Sequence, residues 1–179
     1  MDPTYIKPFI SSIQHVFATM LQLHVTVKEP YLKANNTTQH DVSGIIGMTG
    51  DVVGTVVLAF PQSTAQNLVN LFSGGEVEYG TADFADAVGE LVNMVTGNAK
   101  ALFKDKKASI SCPSVVIGGA HRVASQSAVP CVVIPCSTEC GDVLIEIALR
   151  NAPASATATT ASKPATTELA QPNFSRSQP

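Results

Sequence analysis

The spacing of apolar residues changes period along this chain, and it changes twice in the same order. Ile6, Phe9, Ile10, Ile13, Val16, Phe17, Met20 and Leu21 recur at steps of three and four, the pattern of a helix with one buried face, ending near Leu23. Short β-rich runs follow at His24–Val27, Ser43–Met48 and Val52–Phe60, with Thr49, Gly50 and Asp51 at a hairpin turn. Ser63–Phe72 reads as a second helix, closed by Gly74 and Gly75, and the longest helix is expected over Asp83–Lys104. Strand-like runs then return at Ser114–Ile117, Val129–Pro135 and Val143–Leu149. The order is helix, three strands, helices, three strands. It predicts an α/β (α+β) body of two similar halves, with a mainly antiparallel sheet packed against long helices.

Composition sets the limits of that body. Of 179 residues, 45% are hydrophobic and 14% charged, which suits one domain with a sizeable core. After Asn151 the chain turns to Ala, Thr, Ser and Pro, so a domain over residues 1–151 and a disordered tail over 152–179 are expected. Eleven basic against fourteen acidic residues and no basic run argue against nucleic acid as a partner. No apolar stretch reaches the roughly 18 residues of a membrane span, so no membrane partner is expected. The N-terminal residues lack the pattern of a secretory signal, and the expectation is a cytoplasmic protein.

Several common chemistries lack their residues. Cys112, Cys131, Cys136 and Cys140 form no Cys-x-x-Cys pair and are expected to be small buried residues. His15, His24, His40 and His121 have no metal or triad spacing, and no metal site is expected. The glycines at 44, 47, 50 and 54 fall in a hairpin and not between a strand and a helix, which excludes a Walker loop.

The long helix has two distinct faces. At roughly 100° per residue, Phe84, Val88, Leu91, Val92, Val95, Ala99 and Leu102 form a core-facing stripe. Asp83, Asp86, Glu90, Asn93, Gly97 and Lys100 lie opposite, within about 80° of Glu90. Asp83 is a candidate N-cap, with Asp86 at the third helical position, and Lys104, Lys106 and Lys107 read as partners of the helix dipole. Glu90 and Asn93, three apart, share one patch of surface. A glycine inside a helix costs about 1 kcal/mol relative to alanine, so Gly97 beside that pair suggests that something approaches closely there. A solvated polar face is the simpler alternative.

The string Asp86-Ala-Val-Gly-Glu90-Leu-Val-Asn93, followed after nineteen residues by Pro113, resembles the signature of the CheC/CheX/FliY family of CheY-phosphate phosphatases. Gly97-Asn98-Ala99-Lys100 and the opening Ile6-Lys7-Pro8-Phe9 also resemble it, and the likeness spans residues 1–150. The first helix has no Glu-x-x-Asn, so the sequence is similar to the single-site CheX branch, whose members form homodimers. The resemblance implies a CheC-like fold and hydrolysis of the aspartyl phosphate of a CheY-like response regulator. It implies that Asn93 positions the attacking water, that Glu90 docks to the regulator's lysine, and that Asp86, Gly97 and Lys100 line the partner surface. Asn98 and Pro113 belong to the structural motif. No cofactor of its own is implied, with Mg²⁺ expected on the regulator. The alternative is a non-catalytic adaptor that binds a regulator or a motility component.

Overall fold

The computed structural model describes residues 3–33, 41–119, 121, 123 and 129–153. After a 3₁₀ turn at Pro3–Tyr5 come α1 (Ile6–Met20), β1 (Thr26–Val27), β2 (Tyr31–Leu32), β3 (Val42–Gly50) and β4 (Val52–Phe60). Next are α2 (Gln62–Ser73), α3 (Ala82–Ala101), β5 (Ala108–Ile110), β6 (Ser114–Ile117), β7 (Val132–Thr138) and β8 (Gly141–Asn151).

The strands form one antiparallel sheet in the order β1-β7-β8-β4-β3-β5, with β2 also on β7 and β6 also on β3. The order is symmetric about the central β4–β8 pair, where Val56 faces Ile147 and Leu58 faces Ile145. Each half contributes one long hairpin. Each half also sends the short strands after its helix to the other half's hairpin, β1 and β2 to β7, and β5 and β6 to β3. The expected two-half α+β architecture is what the chain adopts.

One face of the sheet carries the core. Ile46, Met48, Val56, Leu58, Phe60, Ile134, Val143, Ile145 and Ile147 meet Phe9, Ile13 and Phe17 of α1 and Phe84, Val88, Leu91, Val92 and Val95 of α3. Full burial of such a side chain is worth about 1.5–3 kcal/mol, so these stripes fix which helix faces turn outward. α1 and α3 lie against each other, sealed by the buried Ser12 hydroxyl donating to the Val95 carbonyl at 2.6 Å. Two glycines permit close packing in the sheet. A side chain at Gly44 would meet Val92 of α3 at 2.8 Å, and one at Gly54 would collide with the Ala148 carbonyl of β8.

Several boundaries differ from the sequence reading. α1 stops at Met20, with Gln22 in a left-handed conformation (φ 55°), and β1 begins only at Thr26. α3 stops at Ala101, not Lys104, because the N–H groups of Leu102 and Phe103 donate to Ala99 and Lys100, bonds that tighten and close the last turn. Leu102 therefore leaves the core stripe and is 47% exposed. Phe103 instead packs edge-on against Tyr5 and Phe9. Thr81, not Asp83, caps α3, its hydroxyl accepting from the Phe84 N–H, so Asp86 lies beyond the third helical position. β2 and β5 are two or three residues long, too short for a periodic signal. Among the cysteines only Cys136 is buried, and Cys112 is exposed. Nearly all of the expected tail, and His40, lie outside the described residues.

Candidate active site

The outward face of α3 exists because its other face is committed to the core. Thr81 starts the helix, and the apolar residues at 84, 88, 91, 92, 95 and 99 are buried within it. That leaves Asp86 and Glu90 exposed and Asn93, Gly97, Asn98 and Lys100 half-exposed. The Asn93 Nδ2 donates to Glu90 Oε2 at 3.5 Å. This is a long, weak bond, so the two groups share one patch without locking each other. With Nδ2 toward Glu90, the Asn93 Oδ1 remains to accept from a water.

A second wall comes from the segment between β5 and β6. Pro113 lies against Gly89, where an added Cβ would sit 3.2 Å from the proline Cγ and 3.7 Å from Val115 Cγ2. Ala85, Asp86, Gly89 and Glu90 of the helix, with Pro113 and Val115, line an open depression of about 420 Å³. Ser111 anchors this segment by accepting from the Gly47 N–H at 3.0 Å. The structure thus gathers Asp86, Glu90, Asn93 and Pro113 at one place, with Gly97 and Lys100 further along the same helix.

Gly97 and Gly89 differ. A Cβ at Gly97 would touch only Ile110 Cδ1, at the ordinary contact distance of 3.9 Å, so the fold itself does not demand glycine there. At Gly89 it nearly does. The sequence reading passed over Gly89 and Val115, although Gly89 sits inside the motif and is one of only two glycines in α3. Among the described residues no group of three His, Cys, Asp or Glu could hold a metal ion. Nor is any helix among them long and apolar enough to cross a membrane.

Comparison with known proteins decides the family. The family model described as chemotaxis phosphatase CheX matches residues 42–137, more than half of the chain and the whole of α3. The chain belongs to the CheX family. It is 28% identical over 129 residues to the CheY-P phosphatase CheX of Thermotoga maritima, covering 70% of this chain and 83% of that protein. Among solved structures, a CheC-like superfamily protein from Shewanella sp. PV-4 is 34% identical with a TM-score of 0.76, covering 84% of this chain and all of that one. The CheX of Borrelia burgdorferi, solved as a CheX-CheY-BeF3-Mg²⁺ complex, has a TM-score of 0.69 at 22% identity and covers 82% and 98% of the two chains. At that identity the likeness shows the fold alone.

Proposed function

We propose that this CheX-family chain is a phosphatase that removes the phosphoryl group from the aspartyl phosphate of a CheY-like response regulator, with Asn93 and Glu90 as its working residues. The observation that carries the reading is the placing of the two side chains, 3.5 Å apart, on the outward face of α3 beside an open depression. The name of the Thermotoga maritima relative, a CheY-P phosphatase, supports the reaction class.

An acyl phosphate in a regulator is already surrounded by that protein's own groups and its Mg²⁺, so what hydrolysis lacks is a water held in line with the leaving oxygen. Asn93 supplies that. Its carboxamide accepts from and donates to one water, needs no altered pKa, and projects from a rigid helix. Glu90 pairs with the regulator's lysine and sets the docking register, which places Asn93 over the phosphoryl group. Asp86 and Lys100 flank the contact. Gly97 lets the partner's backbone approach the helix. Because Mg²⁺ belongs to the regulator, this chain contributes position and not a cofactor. A hundredfold acceleration requires only about 2.7 kcal/mol.

The test is to phosphorylate candidate regulators with a small phosphodonor and Mg²⁺ and to follow decay with and without the protein. Accelerated decay that vanishes in a folded Asn93→Ala variant supports the reading. Binding without acceleration in the wild type would instead make the chain an adaptor. The family resemblance further supports a homodimer, checked by light scattering in solution, and a regulator substrate is consistent with a cytoplasmic location, checked by fractionation.

A further inference from the structure

At the far end of α3 from Asp86, the start of α1 and Leu102, Phe103, Lys104 and Lys106 border an open cleft of about 620 Å³, within the usual range for a small-molecule site. Its walls have two characters. Tyr5, Pro8, Leu102 and Phe103 supply apolar surface, Lys7, Lys104 and Lys106 also line it, and no acid does. That is a local excess of positive charge in a chain whose net charge is -3. Asp105, between two of the lysines in sequence, lines a separate depression with Gly50, Asp51 and Asn151.

The lysines are not explained by the helix dipole. Lys104 and Lys106 lie beyond the last turn of α3, where the dipole has faded, and Lys106 Nζ donates to Asn151 Oδ1 at 2.9 Å. Lys7 lies in the first turn of α1, which has no acid, where the dipole disfavours a cation. Among the described residues neither Lys7 nor Lys104 has a carboxylate at ion-pair distance. The apolar wall is held in place. Tyr5 and Phe103 pack edge-on with centroids 5.3 Å apart, and the Tyr5 hydroxyl donates to Asn151 Oδ1 at 2.5 Å. Leu102, expected in the core, stands 47% exposed at this cleft.

We infer that this cleft binds a free small organic anion, with a ring-bearing apolar body against Tyr5, Pro8, Leu102 and Phe103 and its carboxylate, sulfonate or phosphate toward Lys7 and Lys104. The site is independent of the phosphatase reading, since it shares no residue with the Glu90 and Asn93 face.

The test titrates the full chain with the fluorescent anion anilinonaphthalene sulfonate and with its neutral analogue phenylnaphthylamine. The expected result is one saturable site for the anion that weakens at least about tenfold both in Lys7→Glu/Lys104→Glu and in Leu102→Asp. All three positions are exposed, so unchanged thermal unfolding will show that the variants remain folded. The neutral analogue should bind at least about tenfold more weakly than the anion. Equal binding by the variants, equal binding of the neutral analogue, or no saturable site would each overturn the inference. So would cosedimentation with phosphatidylglycerol vesicles that the paired Lys→Glu changes abolish, because the cleft would then serve a membrane surface.

Discussion

α1 and α3 hold corresponding places in the two halves, yet they present different surfaces. Both pack an apolar stripe on the same sheet, and both are followed by short strands that cross to the other half. α3 turns Glu90 and Asn93 outward and contains two glycines. α1 contains none, and along its middle the outward residues are Ser11, Gln14, His15 and Ala18, with Lys7 exposed at its start and Thr19 and Met20 at its end. Gln14 is partly tied down, its Nε2 donating to the Val25 carbonyl at 3.4 Å. The difference separates scaffold from the proposed chemistry: the two halves share what builds a sheet and a helix pair, and only one has the polar pair and the bare backbone on which the proposed docking rests.

The two crossings also differ, and the largest effect is expected there. β2 is followed by Lys33, whose ammonium meets Glu146 of β8 at 2.6 Å with both side chains almost fully buried. The other crossing relies on Pro113 against Gly89 and on Ser111. Lys33→Met removes the buried ion pair to Glu146 and should lower stability in urea unfolding by more than the ~1 kcal/mol of an exposed pair. Lys33→Met with Glu146→Leu should recover most of that loss. A single-variant cost below about 1 kcal/mol would mean that the Lys33–Glu146 pair does not hold this crossing.

Second in size is the direct contrast between the helices. Asn93→Ala should remove the accelerated decay of phosphorylated regulator, a loss on the order of a hundredfold, while Gln14→Ala leaves it intact. If Gln14→Ala proved equally damaging, α1 would be a second working surface. Glu90→Ala should act less strongly, raising KM about tenfold and lowering kcat less, since a docking contact contributes mainly to binding. The readout is decay rate against regulator concentration.

How much of this was legible in the sequence follows from the length of each signal. α3, β4 and the polar pair at Glu90 and Asn93 could be read because twenty residues at helical period, or nine at β period, average out single exceptions. β2 and β5 could not, since two or three residues carry no period and are strands only because β7 and β3 offer edges. The Lys33 and Glu146 pair was equally silent. Their positions are 113 residues apart, and only the crossing of β2 onto β7 brings them together. Leu102 misled for a different reason. It continues the apolar stripe in sequence, but the helix has already closed at Ala101.

The smallest effect gives the sharpest reading of α3, because its two glycines should respond in opposite ways. Gly97→Ala places a methyl group in ordinary contact with Ile110, at 3.9 Å, and removes the entropic cost of glycine, so stability should rise by about 0.5–1 kcal/mol. For a domain of this size that is roughly 1–4 °C in Tm. Gly89→Ala gains the same helix propensity but presses on Pro113 at 3.2 Å, and a proline ring cannot rotate away. Its stability should fall or stay level. Phosphatase activity then separates fold from function: Gly97→Ala should lose activity although it gains stability, because in the proposed docking the methyl group stands where the partner approaches. A Gly97→Ala protein that is more stable and fully active would remove Gly97 from the docking surface, leaving Glu90 and Asn93 to act without it.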